Sequence, residues 1–90
     1  MDREQMKAKV IAQVDKDREA ILGLGAEIYK HPETGFREVR TTETVAKALE
    51  DLGLSVEREI AVTGCRARAN GEKEGPKLVV MGELDSVVCP

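Results

Sequence analysis

Two carboxylates close to residue 90 have a type and spacing that could form a ligand site. Glu83 and Asp85 are separated by one residue and follow a short apolar run at residues 78–81. On an extended chain, side chains two residues apart point to the same side, and open α/β sheets bind ligands beyond the carboxyl ends of their strands. The pattern therefore predicts two acids at a ligand-binding position. The structural alternative is that both are polar residues capping the end of a strand.

The apolar run is the element that must position this pair. The dipeptide Gly75-Pro76 before it is a strong turn signal, and the run itself reads Leu-Val-Val-Met. A short apolar run bounded by turn signals is typical of a strand buried on both faces. We therefore expect residues 78–81 to lie inside a sheet that is covered on both sides.

The first segment, residues 2–30, has the apolar periodicity of one amphipathic helix. Gly23 and Gly25 weaken its second half, where a kink or a close helix contact is expected. Pro32 ends the helix near Lys30, because the residue before a proline is disfavoured in the α region. The apolar residues of its main face are Met6, Val10, Val14, Ile21, Leu24 and Ile28.

A second helix is predicted to begin between Arg37 and Thr42 and to run to about Leu52. Gly53 is well placed to adopt the left-handed conformation that commonly follows a helix. Phe36, the only phenylalanine, is expected to fill the core beside this helix. The helical positions expected to be buried are Val45, Leu49 and Leu52, flanked by Ala46 and Ala48.

The apolar period then changes to two, which is typical of strands. Residues 54–60 alternate between apolar and polar, Thr63-Gly64 marks a turn, and residues 65–70 alternate again. With the run at residues 78–81, the predicted order is α-α-β-β-β, an α/β fold of two helices followed by three strands.

Composition excludes several classes of function. The net charge is -3 with both signs well mixed, so the chain has no basic footprint for a nucleic acid. No apolar run approaches the ~20 residues that span a bilayer. Cys65 and Cys89 lack the spacing of a redox or metal motif and are typical of reduced thiols. We expect a cytoplasmic protein with no nucleic-acid or membrane partner.

Taken in order, several short motifs resemble one family. Residues 29–33, YKHPE, are similar to an HxHPE motif whose first His is replaced, and residues 75–86 are similar to its segment from GP to DxDA. The family is the M20-type metal-dependent amidohydrolases: aminoacylases, hippurate-type hydrolases and aminobenzoyl-glutamate-type hydrolases. The resemblance covers about residues 20–90. Further matches are Glu38 and Thr41 with an E-x-x-T motif, Leu49 and Gly53 with L-x-x-x-G, and Thr63-Gly64 with a TG turn.

This resemblance implies a fold, a chemistry and two site residues. Relatives have a zinc-exopeptidase-like α/β domain with an inserted lid domain, and they hydrolyse amide bonds with water held on one or two divalent metals such as Zn, Mn or Co. Asp85 matches the aspartate of the first metal-site motif and is the expected catalytic residue. Glu83 occupies a position where many relatives have a metal-binding His, so it is the expected metal ligand. Val88 departs from the family, which usually has proline there.

The resemblance further implies that residues 1–90 are the N-terminal part of a truncated catalytic domain. The remaining ligands, the catalytic Glu pair, the rest of the sheet and the lid would follow Pro90. A catalytic metal generally needs about three protein ligands, so we expect neither tight metal binding nor hydrolysis by these residues alone. The expected activity of the whole enzyme is hydrolysis of N-acyl amino acids or small peptides.

Other candidate residues have simpler interpretations. His31 stands alone beside a proline, and one imidazole is not a metal site, so a loop-packing or capping role is expected. Cys89 is interpreted as structural or incidental, and Cys65 as a small core residue. Arg66 and Arg68 share one strand face and are more typical of a solvated face than of an anion site.

A different class of function stays open beside the enzyme. In this alternative the amphipathic helix of residues 2–30 docks on a partner and the carboxylates are inert.

In the family's sheet, the next strand lies between residues 78–81 and the earlier hairpin, so these 90 residues would leave an apolar edge open. Exposed apolar edges invite association, and we therefore expect marginal stability or self-association through residues 77–84.

Overall fold

The computed structural model describes residues 1–89 and has three helices followed by a two-stranded sheet. The mixed α/β class is confirmed, but the predicted count of two helices and three strands is wrong. The chain divides into two compact units, one of residues 1–30 and one that begins at His31. The elements are α1 (Arg3–Lys16), α2 (Arg18–Lys30), α3 (Val39–Asp51), β1 (Val56–Ile60) and β2 (Gly64–Ala67).

The first unit contains two helices where one long helix was predicted. The break is at Asp17, whose backbone leaves the helical region (φ -91, ψ 8). The Asp17 carboxylate accepts a hydrogen bond from Gln13 Nε2 at 2.8 Å, and its carbonyl accepts one from the Ile21 amide at 3.0 Å. Because aspartate competes with the helix for local hydrogen bonds, it favours the boundary between α1 and α2. Gly23 and Gly25, where a kink was expected, both lie within α2.

A capping box defines the start of α1. The Asp2 carboxylate accepts a hydrogen bond from the Gln5 amide at 2.8 Å, and the Gln5 side chain accepts one from the Asp2 amide at 2.9 Å. These reciprocal bonds occupy amides that have no partner inside the helix. No residue of α1 is buried.

The second unit is organised around α3, which lies within the predicted bounds. Gly53 has φ +88, as expected for the residue after the helix. Its amide donates to the Glu50 carbonyl at 2.8 Å, and the Leu54 amide donates to the Leu49 carbonyl at 3.2 Å. This pair of bonds is a Schellman motif, which occupies the last free carbonyls of a helix.

The core of this unit is small. Ala46 is completely buried, and the side chains of Thr41 and Thr42 are buried beside it. Val45 and Leu49 are half-buried, whereas Leu52 is exposed, contrary to prediction, because it caps the helix after its last turn. The prediction for Phe36 is also wrong: this residue is 70% exposed and has φ +61, so it does not fill the core.

Helix α3 packs against an antiparallel hairpin made of β1 and β2. Val56 pairs with Ala67 and Ile60 pairs with Gly64, with an irregularity at Glu59, which has φ +58. A Cβ added at Gly64 would lie 2.7 Å from the Ile60 carbonyl oxygen, so the close approach of the two strands requires glycine. The two predicted strands are therefore present but shorter than predicted.

The predicted third strand at residues 78–81 is wrong. These four side chains are between 83% and 90% exposed, and within residues 1–89 no ladder joins them to β1 or β2. A strand buried on both faces requires a paired neighbour and two covering layers, and the hairpin with its single packed helix supplies neither. Among the described residues, no helix is long and apolar enough to cross a membrane.

Candidate functional site

Residues 31–37 form the loop that contains the HPE sequence, here called the HPE-like loop, and Glu33 anchors it. One Glu33 oxygen, Oε1, accepts hydrogen bonds from the Thr41 amide at 2.5 Å and the Thr41 hydroxyl at 2.6 Å, and Oε2 accepts one from the Arg40 amide at 3.2 Å. Both amides belong to the first turn of α3, where they have no partner within the helix. Glu38, at the N-cap position itself, makes no capping bond with its side chain. Glu33 therefore caps α3 from outside the helix.

The charge of the Glu33 carboxylate suits this position. The hydrogen bonds from Thr41, and then the bond from Arg40, lower the pKa of Glu33 below its ordinary value. A helix N-terminus carries partial positive charge, which favours an anion beside it. The loop glutamate is therefore held as a carboxylate against the start of α3.

The backbone of Glu33 also holds the segment that contains the candidate acids. The Ser86 amide donates a hydrogen bond to the Glu33 carbonyl at 2.7 Å. This bond places residues 83–86 beside the HPE-like loop, so two segments that resemble family motifs meet in space. Ser86 and Leu84 are half-buried, whereas Glu83 and Asp85 are exposed.

A second contact between motif residues joins α3 to the hairpin. The Thr63 hydroxyl donates to Glu38 Oε2 at 2.7 Å, and the Arg37 amide donates to Glu38 Oε1 at 3.2 Å. Glu38 comes from the E-x-x-T match and Thr63 from the TG match. The glutamate therefore fixes the hairpin turn against the start of α3.

The Glu38–Thr63 contact lies in the wall of an open concavity of about 360 Å³. Asp85 lines it, but Glu83 is not among its lining residues. The Thr42 side chain is also part of the lining, and its buried Oγ1 has no hydrogen-bond partner in the described chain. The other lining residues are Gly35, Phe36, Glu38, Ile60, Ala61, Thr63, Gly64, Cys65, Gly82 and Leu84.

The residues present do not fit a metal ion by themselves. Within residues 1–89, no group of three or more His, Cys, Asp or Glu side chains is placed to hold one. His31 and Cys65 are half-buried, and Cys89 is exposed. Since a catalytic metal generally needs about three protein ligands, Glu83 and Asp85 can supply only part of such a site.

Sequence reasoning missed a cluster of charges that connects β1 to α3. Arg58 Nε and Nη2 bond Glu43 at 2.9 and 3.0 Å, and Nη2 and Nη1 bond Glu50 at 2.8 and 3.2 Å. These bonds raise the pKa of Arg58 and lower the pKa values of Glu43 and Glu50. Glu43 and Glu50 are two helical turns apart on one face, a spacing that could have indicated a shared partner. The cluster joins β1 to α3 and is structural.

Comparisons with known proteins agree with the motifs. The chain is 27% identical over 67 residues to the N-acetyl-L-cysteine deacetylase of Bacillus subtilis (strain 168). The match covers 74% of this chain and 16% of that protein. It is 30% identical over 74 residues to one of the subunits of the p-aminobenzoyl-glutamate hydrolase of Escherichia coli (strain K12); the match covers 82% of this chain and 15% of that subunit. It is 30% identical over 67 residues to the IAA-amino acid hydrolase ILR1-like 4 of Arabidopsis thaliana; this match covers 74% of this chain and 15% of that protein.

These matches confirm the recognition made from the motifs: the chain resembles a fragment of an M20-type amidohydrolase. The chain spans only 15–16% of the length of these three curated relatives. No protein-family profile matches the chain, and no solved structure is significantly similar to it.

Proposed function

We propose that this chain supplies part of the active-site framework of a metal-dependent amidohydrolase that acts on N-acyl amino acids or small peptides. The relatives are named as a deacetylase of an N-acetyl amino acid, a hydrolase of an aminobenzoyl-glutamate conjugate and a hydrolase of IAA-amino acids. All three names describe amide cleavage in an acylated amino acid. That shared chemistry supports the substrate class.

The hydrogen bond from the Ser86 amide to the Glu33 carbonyl, 2.7 Å long, is the observation that carries the proposal. It holds the residue next to Asp85, and Asp85 lines the concavity. In the longer enzyme, Asp85 would be the catalytic carboxylate beside the metal and Glu83 would be a metal ligand. Glu33 positions Asp85 and does not itself react, because both of its carboxylate oxygens are engaged by α3.

The ion, when bound, would lower the pKa of a water molecule and polarise the scissile carbonyl. The described residues do not complete a site for it, and the chain contributes only carboxylates. We therefore propose that the 90 residues alone do not hydrolyse amides.

The test uses the 90-residue chain and any longer product of the same reading frame that contains it. Both are assayed on N-acyl amino acids with added Zn²⁺, Mn²⁺ or Co²⁺. We expect turnover by a longer product only, and a loss of about 100-fold or more in Asp85→Asn, as is typical when a group acting in the transition state is removed. Asp51→Asn, the same change at an exposed acid of α3, is the matched control. Turnover by the 90 residues, or full activity in Asp85→Asn, would contradict the proposal.

A second candidate function has one observation in its favour. Met6, Val10, Ile11 and Val14 of α1 are between 50% and 63% exposed, and an amphipathic helix can lay its apolar face into a groove of a partner. In this function the chain is a non-catalytic interaction module built on the helical segment of residues 2–30. It predicts that no product containing Asp85 hydrolyses amides, so the same assay separates the two candidates.

A further inference from the structure

The apolar run at residues 78–81 is exposed although its composition is that of a buried strand. Within residues 1–89, no ladder joins it to the hairpin, and each of its side chains is more than four-fifths exposed. An exposed apolar segment of high β-propensity pairs readily with another strand. The open question is which strand it pairs with.

The charges that flank the run are self-complementary. Lys77 precedes it and Glu83 follows it, at equal distances from Val80. If two copies pair antiparallel about Val80, Lys77 of each copy lies opposite Glu83 of the other. Val79 of each copy then lies opposite Met81 of the other.

Parallel pairing in register would instead place like charges opposite each other, with Lys77 against Lys77 and Glu83 against Glu83. Opposite charges facing each other across a ladder are stabilising, and like charges are destabilising. The charge pattern therefore selects the antiparallel arrangement. A two-fold axis through Val80 repeats each contact, as a closed dimer requires.

We propose that two copies of this chain associate through antiparallel pairing of residues 77–83 centred on Val80, with Lys77 of each copy opposite Glu83 of the other. The pairing joins backbone groups of the run in a ladder and brings Val79 of each copy into contact with Met81 of the other. It does not depend on the proposed hydrolase function.

Sedimentation of the 90-residue chain over a range of concentrations tests this proposal. We expect a dimer, and a dissociation constant raised about tenfold in Lys77→Glu and in Glu83→Lys, because each change replaces two attractive pairs by two repulsive ones. The double variant Lys77→Glu with Glu83→Lys restores the attractive pairs, so its dissociation constant returns to within about threefold of the original. Lys9→Glu, the same charge change on the exposed surface of α1, leaves it unchanged.

Circular dichroism of each variant shows whether it is still folded, so that weaker dimerisation is not confused with unfolding. The proposal would be overturned if the chain is a monomer at all soluble concentrations. It would also be overturned if Lys77→Glu and Glu83→Lys leave the dissociation constant of the dimer unchanged. Hydrogen exchange distinguishes the other partners of the run. Protected Val79 and Val80 amides in a monomer, whether of the 90 residues or of a longer product, would assign the run to pairing within one chain and overturn the proposal as well.

Discussion

The carboxylate of Glu33 caps α3 through Thr41, eight residues further along the chain, with bonds to both the amide and the hydroxyl. The carbonyl of the same glutamate accepts the Ser86 amide. One residue thus connects the start of the central helix to the segment that contains Asp85. The resemblance to an HPE motif says nothing about this role, which is structural and acts on the site through position.

Removal of the Glu33 cap is expected to destabilise the second unit. In Glu33→Ala, the amides of Arg40 and Thr41 lose their acceptor and the helix N-terminus loses a favourable anion. We expect the thermal midpoint to fall by about 5 °C, the usual effect of losing a helix cap in a small domain. Glu72→Ala, at an exposed loop residue, serves as the control. Thermal denaturation followed by circular dichroism measures both variants, and an unchanged midpoint in Glu33→Ala would contradict the capping role.

The stability of the second unit should decline in acid. Hydrogen bonds lower the pKa values of Glu33, Glu43, Glu50 and Glu57 below their ordinary value of 4.5. A carboxyl whose pKa is lower in the folded state stabilises the fold at pH values above its unfolded pKa, and this contribution is lost as the pH falls through the folded pKa. We therefore expect the free energy of unfolding to be constant near neutral pH and to fall below about pH 4.5.

Urea denaturation at a series of pH values measures this dependence. Glu33→Gln removes one of the titrating groups, so its stability should fall less steeply with acid than that of the original chain. The control Glu72→Gln should keep the original slope. Equal slopes in all three proteins would mean that the Glu33 carboxylate does not stabilise the folded state.

How much the sequence predicts depends on whether a signal is local. The end of α3 was predictable because Gly53 and the last turn of the helix determine it together. The hairpin was predictable because two segments of period-two alternation flank the turn signal Thr63-Gly64. The strand at residues 78–81 was not, because apolar composition does not supply a neighbouring ladder. The cap by Glu33 was missed because capping is usually sought at the residue next to the helix, where Glu38 stands. Asp85 was predicted from spacing and resemblance, and its catalytic role stays a prediction.

The Arg58 cluster should contribute modestly and in a salt-dependent way. Arg58 bonds both Glu43 and Glu50, whereas Arg66 bonds Glu57 at 2.7 Å. We expect Arg58→Gln to lower the thermal midpoint by about 3 °C and Arg66→Gln by about 1 °C, since exposed ion pairs are weak. Both differences should shrink at about 1 M salt, where screening is strong. If Arg58→Gln is no worse than Arg66→Gln, the two-carboxylate geometry does not stabilise the packing of β1 on α3.

The bond between the Ser86 amide and the Glu33 carbonyl can be removed without changing Glu33. Ser86→Pro deletes the amide hydrogen, whereas Ser86→Ala keeps it and removes only the hydroxyl. In the original chain we expect the Ser86 amide to exchange with solvent at least about tenfold more slowly than the amides of Val87 and Val88, because hydrogen-bonded amides are protected and both valines are exposed. Ser86→Ala should keep this protection. In Ser86→Pro, nuclear magnetic relaxation should show faster motion of the Asp85 amide, with α3 unchanged. In a hydrolytically active longer product, the single variants Ser86→Pro and Asp85→Asn should both have lower turnover. The variant Ser86→Ala should keep the turnover of the original protein. If Ser86→Pro keeps both a rigid Asp85 and full turnover, the bond to Glu33 does not position the candidate site.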